Sequence, residues 1–170
     1  MNEPKKTNPF RIGFGVDSHR LLSEKTDKKL ILGGVEIAGH AGVDSHSDGD
    51  LILHALFNAL SSAIGEKCIG QFFPDTDEKW KGKNSKEFVS HILRLVNEKG
   101  YRIGNVVFSL ECKTPKISPY EQKIKQNISL LLGIPLDCIA VHATSGEKLT
   151  SFGKGEGIYC QCSVLLHSTH

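Results

Sequence analysis

The sequence predicts an α/β fold of the α+β kind: a single mixed β-sheet with helices packed on one face. Three observations predict it. Apolar residues alternate with a period of two in four segments, while a helical period marks three others. Strands and helices take turns along the chain and two strands close it, a pattern that lays helices over a sheet. The 170 residues, 39% of them hydrophobic, suit one domain with an ordinary core.

Residues 1–10 read as a flexible tail, 11–167 as one domain and 168–170 as a short C-terminal tail. Arg11–Asp17 reads as a strand in which Ile12, Phe14 and Val16 alternate with Gly13 and Gly15, which have no side chain to pack. Lys29–Ile37 reads as two short strands around Gly33-Gly34, a hairpin signal. The first helix is Leu51–Ile64, with His54, Asn58 and Ser61 on one polar stripe. The second begins at Asn84, has Glu87 to complete a capping box, and stops at Gly100. It buries Phe88, Val89, Ile92, Leu93 and Val96. The third begins at Ser118, with Pro119 at the first helical position and Glu121 three residues after the cap, and stops at Gly133. Ile103–Cys112 is a strand with Val106, Phe108, Leu110 and Cys112 on one face, and Ile139–Thr144 and Gly157–His167 follow the same rule. A sheet covered on one side leaves a second face, which oligomerisation would hide.

With 21 basic and 19 acidic residues and no basic patch, the chain is a poor partner for nucleic acid. No apolar run reaches the roughly 18 residues of a membrane span, and the polar N-terminus has no signal-like core. Five cysteines, an odd number without a scaffold rhythm, read as free thiols in a reducing compartment. Cys160 and Cys162 share one strand face and read as core filling rather than metal ligands.

Six segments could carry chemistry. Asp17-Ser18-His19 ends a strand, so a carboxylate and an imidazole point the same way. His46-Ser47-Asp48-Gly49-Asp50 leads into the first helix. Helix capping alone accounts for Asp48 and Asp50, but His54 lies one turn inside on the polar stripe. Asp17, His19 and His54 together make a two-histidine, one-carboxylate set, which suits zinc with an open fourth position and equally suits non-haem iron. Gly70-Gln71-Phe72-Phe73-Pro74-Asp75-Thr76-Asp77 carries two carboxylates in what is otherwise a polar turn. Thr114-Pro115-Lys116 places a lysine at a strand end, by default solvated. Ala143-Thr144-Ser145-Gly146-Glu147 offers hydroxyls and backbone N–H groups that suit phosphate oxygens, and a glutamate that could hold magnesium on a diphosphate. Gly153-Lys154-Gly155-Glu156-Gly157 permits a tight loop but lacks P-loop spacing.

The order of these segments is the specific signal. Gly15-x-Asp17-x-His19, Gly33-Gly34-Val35, His46-Ser47-Asp48-Gly49-Asp50-x-x-x-His54, Phe73-Pro74-Asp75-Thr76-Asp77, Pro115-Lys116, Glu147-Lys148-Leu149 and Gly155-Glu156-Gly157 together resemble the 2-C-methyl-D-erythritol 2,4-cyclodiphosphate synthase family over about residues 11–167. The resemblance implies a phosphorus–oxygen lyase of the non-mevalonate isoprenoid route. It closes the cyclic diphosphate from 4-diphosphocytidyl-2-C-methylerythritol 2-phosphate and releases CMP. It further implies a cytoplasmic or plastid-type homotrimer with active sites between subunits, one zinc per subunit, and magnesium or manganese with the diphosphate. Carried over residue by residue, the zinc ligands fall on Asp17, His19 and His54, the magnesium ligand on Glu147, and the transition-state stabilisers on His46 and Ser145. Methylerythritol and phosphate contacts fall on Ser47, Gly70, Asp75 and Asp77. The cytidine pocket falls on Cys112, Thr114, Pro115, Lys116 and Ile117 with Ala143 and Thr144. The remaining implied substrate contacts are Asp17, His19, His46, Cys68, Ile69, Phe73, Ser145, Gly146, Glu147 and Lys154, the last facing the trimer axis. Four positions depart from the family pattern: Ser145 replaces threonine, Cys68 an aspartate, Ser151 a phenylalanine beside Phe152, and Lys154 an arginine, with loss of the bidentate fork. The metal set alone also fits a metal-dependent phosphohydrolase or a non-catalytic trimeric zinc protein that binds isoprenoid phosphates.

Overall fold

Alternating segments pair into strands in the computed structural model, which describes residues 9–22 and 26–169. Most of the expected N-terminal tail, residues 1–8, lies outside the described residues, as does His170 of the expected C-terminal one. The strands are β1 (Phe10–Arg20), β2 (Lys29–Leu32), β3 (Val35–Ala41), β4 (Tyr101–Glu111), β5 (Ile139–Thr144) and β6 (Gly157–Ser168). The helices are α1 (Leu51–Ala63), α2 (Ile69–Phe72), α3 (Ser85–Glu98), α4 (Glu121–Leu132) and α5 (Ser151–Lys154). The main sheet has the order β1-β6-β4-β5 and is mixed: β6 is antiparallel to both neighbours and β5 is parallel to β4. The β2-β3 hairpin stands apart as its own two-stranded ribbon. Its Gly33-Gly34 turn has positive φ at both residues (59° and 75°), as a two-residue primed turn requires.

Helices cover one face. α1 lies along β1 and β6, α3 reaches β4, and α4 reaches β5. The residues turned to them are Val106, Phe108 and Leu110 of β4, Ile139 and Val141 of β5, and Ile158, Cys160, Cys162, Val164 and Leu166 of β6, all buried. Both thiols of β6 are therefore core, as their spacing suggested. β1 alternates as expected, but its buried face is the glycine face. A Cβ on Gly15 would stand 2.3 Å from the Ala55 carbonyl oxygen, and one on Gly13 would stand 1.9 Å from that of Ala59. The two glycines let α1 lie almost on the strand backbone. Ile12, Phe14 and Val16 consequently point the other way and are 79%, 52% and 41% exposed.

Local signals set the helix ends. Asn84 caps α3 by accepting from the Lys86 amide, while the Glu87 carboxylate faces Lys83 at 3.6 Å instead of closing a capping box. α4 starts at Glu121, later than the Ser118 start expected from sequence. Ser118 to Tyr120 instead make a turn, closed by the Tyr120 amide on the Ile117 carbonyl at 2.9 Å. The fixed φ of Pro119 suits that turn as well as a first helical residue. Gly133, with φ 65°, ends α4 in the left-handed conformation.

Candidate metal and substrate site

The packing of α1 on β1 assembles the first half of the site. Asp17 and His19 point from the end of β1 toward His54, which lies 7% exposed one turn into α1. Asp17 Oδ2 stands 3.0 Å from His19 Nε2 and 3.0 Å from His54 Nδ1, and the two imidazole nitrogens are 3.4 Å apart. A tetrahedral zinc with bonds near 2.0–2.1 Å would hold its ligand atoms roughly 3.3 Å from one another. The three atoms already sit at the edge lengths of such a tetrahedron, so the residues present fit the ion. Burial raises the Asp17 carboxyl, but hydrogen bonds and charge from His19 and His54 outweigh it and hold the pKa at about 2. A carboxyl this acidic keeps its ligand charge across the physiological range.

A second layer surrounds His54. Its Nε2 lies 2.8 Å from Ser85 Oγ and 3.2 Å from Ser47 Oγ. The Ser85 hydroxyl donates to Asp48 Oδ1, and the Ser85 amide donates to Asp48 Oδ2 at 3.0 Å. Asp48 thus serves the start of α3, whereas Asp50 caps α1 by accepting from the Leu53 amide at 3.2 Å. Asp50 is fully buried and also takes the Gly33 and Gly34 amides at 2.8 and 2.6 Å, tying the hairpin turn to α1. The two acidic residues of one motif therefore fasten two different elements to the metal site.

The triad opens into a cavity of about 490 Å³, lined on one side by Asp44, Ser45, His46 and Ser47 and on the other by Ile69, Gly70, Phe73, Asp75, Trp80 and Phe88. Phe73 stacks on Phe88 with centroids 4.5 Å apart, and Trp80 meets Phe73 edge-on at 4.8 Å, giving an apolar floor. The buried nitrogens His46 Nε2 and Trp80 Nε1 find no hydrogen-bond partner among the described residues. Asp44, Ser45, Trp80 and Ser85 were not singled out from the sequence. Asp44 and Ser45 directly precede the His46–Asp50 motif, an adjacency that could have marked them, whereas Trp80 and Ser85 reach the site through tertiary contact.

Other expected residues lie elsewhere. Asp77 is outside the cavity lining; its carboxylate accepts from the Lys79 amide and pairs with Lys79 Nζ at 2.6 Å. Cys68 is exposed and opens onto a neighbouring cleft with Phe14, Asn58 and Glu66, its thiol 3.5 Å from Gln71 Oε1. The segments expected to meet a nucleotide cluster at the ends of β4 and β5. Cys112 is buried there, its amide on the Thr144 carbonyl at 3.1 Å and its thiol pushed up to about 11 by burial. Pro115 and Ile117 are buried beside exposed Thr114 and Lys116. Ser145 Oγ donates to Glu147 Oε1 at 2.9 Å. Gly146, Glu147 and Lys148 all have positive φ (66°, 47° and 63°), a left-handed turn unusual for the two that carry side chains. Ala143, Thr144 and Lys154 are exposed. Along the sheet, Asp17 faces Cys160, Cys160 faces Leu110, and Leu110 faces Ala143. Three strand steps of about 4.8 Å separate the two clusters by roughly 14 Å.

Comparison with known proteins places this geometry in context. The YgbB family profile matches residues 10–167. The 2-C-methyl-D-erythritol 2,4-cyclodiphosphate synthase of Aquifex aeolicus is 44% identical over 157 residues, covering 92% of this chain and 97% of the relative. The chloroplastic enzyme of that name from Arabidopsis thaliana is 43% identical over 164 residues, covering 96% of this chain and 70% of the relative. A solved structure of IspF from Plasmodium falciparum in complex with CDP superposes with a TM-score of 0.85 at 36% identity, covering 97% of this chain and all (100%) of that one.

Proposed function

The chain belongs to the YgbB family, and we propose that it catalyses the cyclisation for which its curated relatives are named. The 2-phosphate of 4-diphosphocytidyl-2-C-methylerythritol 2-phosphate attacks the β-phosphorus. The bond from that phosphorus to the bridging oxygen breaks, and CMP leaves as the 2,4-cyclodiphosphate closes. The observation that carries this reading is the triad of Asp17, His19 and His54 at the mouth of a cavity whose walls are the His46–Ser47 and Ile69–Asp75 segments.

Phosphoryl transfer asks the protein mainly for positioning and charge neutralisation. Zinc held by Asp17, His19 and His54, with magnesium or manganese held by Glu147, would supply Lewis-acid stabilisation of the phosphates. Ser47 provides a donor in the wall, with His46 beside it. Phe73, Phe88 and Ile69 offer the apolar surface that suits the methylerythritol carbons. Lys116 and the 143–147 turn supply a cation and donors for a cytidine diphosphate. Ser145 keeps the hydroxyl of the usual threonine.

A homotrimer with shared sites accounts for two further features. The uncovered sheet face exposes Ile12, Phe14 and Val16, and water-exposed apolar rows of that kind are normally covered. The two halves of the site lie on opposite edges of the sheet in one chain, and a neighbour would complete each. Among the described residues no helix is long and apolar enough to cross a membrane. A cytoplasmic location, or a plastid-type one as in the chloroplastic Arabidopsis relative, follows from this reading.

Incubation with the CDP-linked substrate, zinc and magnesium, followed by phosphorus NMR, tests the activity. Equal amounts of cyclic diphosphate and CMP are expected. Free inorganic phosphate would assign a phosphohydrolase, and zinc binding without turnover would assign a binding protein. Light scattering should report three chains, and a fully active monomer would overturn the shared site.

A further inference from the structure

We infer that Asp48 and Ser85 hold the proton of His54 on Nε2 when its Nδ1 binds the metal, and so position that ligand. This rests on the metal reading of the Asp17–His19–His54 triad. A neutral imidazole carries one proton, and which nitrogen holds it is decided by the neighbours of the other. Asp48 is an acceptor only. Its Oδ1 takes the Ser85 hydroxyl proton, and its Oδ2 takes the Ser85 amide at 3.0 Å. A serine hydroxyl has a single proton to give. With that proton committed to Asp48, the Ser85 oxygen can only accept from His54 Nε2, 2.8 Å away. Without a metal, Nδ1 donates to Asp17 Oδ2; once a metal takes the place of that proton, the Ser85 acceptor holds the remaining proton on Nε2 and leaves the Nδ1 lone pair to the ion. Nδ1 is the atom that faces Asp17 Oδ2 at 3.0 Å and His19 Nε2 at 3.4 Å.

Two neighbours compete: Asp17 Oδ2 draws a proton to Nδ1 until a metal replaces it, and Ser47 acts on Nε2. Its hydroxyl lies 3.2 Å from the same Nε2 and, as a donor, would favour the opposite tautomer. Three features put Ser85 ahead. Its contact is shorter, it is buried with 0% exposure, and it is anchored at two points by one carboxylate. A charge-assisted pair in a low-dielectric setting holds its proton order more firmly than an isolated hydroxyl. Ser47 also accepts the Gly49 amide at 3.2 Å, which orients its oxygen away from free rotation. Ser85 is the first residue of α3, so the device links the start of that helix to the metal site. Both are positioning residues acting through His54, in the manner of the outer partners that orient metal-bound imidazoles.

The test uses the full chain with ¹⁵N-labelled histidine and zinc. Long-range proton–nitrogen NMR of the zinc-loaded wild type should show His54 protonated at Nε2 and ligating through Nδ1. A His54 that is protonated at Nδ1 overturns the inference, whatever any variant does. Zinc affinity measured by chelator competition should fall about 10- to 100-fold in Ser85→Ala, with the fold checked by circular dichroism. A folded Ser85→Ala that binds zinc within about twofold of wild type would also sink it. Failure of the wild type to bind zinc at all would instead refute the metal reading, so the two failures are distinguishable.

Discussion

Replacing Gly15 by alanine should damage the metal site through the packing of a strand on a helix. Gly15 opens the Gly15-x-Asp17-x-His19 segment, and its missing side chain is what lets α1 approach. The added Cβ would stand 2.3 Å from the Ala55 carbonyl oxygen, 2.3 Å from the Ala59 amide nitrogen and 2.7 Å from the Asn58 carbonyl carbon. All three are backbone atoms of α1, so no side chain can swing away. Ordinary contact begins at 3.4 Å, so the helix must withdraw by about 1 Å. His54 precedes Ala55 and would move with it, whereas a metal site tolerates only about 0.5 Å of misplacement. Overpacking of this kind typically costs about 1–3 kcal/mol, which lowers the melting temperature by roughly 3–10 °C in a chain of this size. Zinc affinity should fall at least about tenfold. Gly39→Ala is the control: nothing lies within 4 Å of its Cβ, although φ is +77°. It should lose about 1 kcal/mol for the left-handed backbone and bind zinc normally. A Gly15→Ala protein that melts within about 2 °C of wild type and keeps its zinc affinity would refute the close-approach argument.

Four further outcomes are expected. Lys116→Ala should weaken CDP binding by about tenfold or more, since a charge-assisted contact is lost; an unchanged calorimetric dissociation constant would make Lys116 a solvated surface residue. Cys68→Ala should change kcat/KM by less than about threefold, because the exposed thiol lies outside the cavity lining; loss of turnover in a folded protein would contradict this placement. Trp80→Phe keeps an aromatic ring against Phe73 and removes a buried N–H that has no partner among the described residues, so the melting temperature should fall by no more than about 2 °C, and a larger fall would show that the N–H is paired in the folded protein. In zinc-free protein, the Asp17 carboxyl at about 2, against 3.8 unperturbed, stabilises the fold above pH 3.8 and loses that contribution as pH falls through 2. The difference is about 2 kcal/mol, so Asp17→Asn should flatten the acid-unfolding curve between pH 4 and 2, and an identical slope would remove the linkage.

Much of the fold could be read because strand and helix periods differ so plainly. The alternation in β4, β5 and β6 named the buried residues, and the positive-φ glycine turn confirmed a hairpin. What period cannot give is which face turns inward. In β1 the apolar trio Ile12, Phe14 and Val16 promised a core face, yet Gly13 and Gly15 hold the helix. The reason is that two glycines let the backbone of β1 meet α1 directly, and hydrophobicity alone does not encode that. The short helices α2 and α5 span 4 residues each, too few to show a period.

The site divides in the same way. Asp17 and His19 could be paired from strand alternation, and His54 from its place on a polar helix stripe, because each inference is local. Ser85 lies 31 residues from His54 in sequence, and no spacing rule spans that distance. The 146–148 turn was equally hidden, since Glu147 and Lys148 adopt left-handed backbone that their residue types disfavour. Strain of that kind persists only where the surroundings hold it. Here the Glu111 carboxylate accepts the Thr150 hydroxyl beneath the turn and fills the space over Gly146. That turn presents Glu147 to solvent at the β5 edge of the sheet, three strands away from the triad of its own chain. A residue held at such expense, facing outward, would serve the proposed shared site, in which another copy of the chain brings the substrate to it.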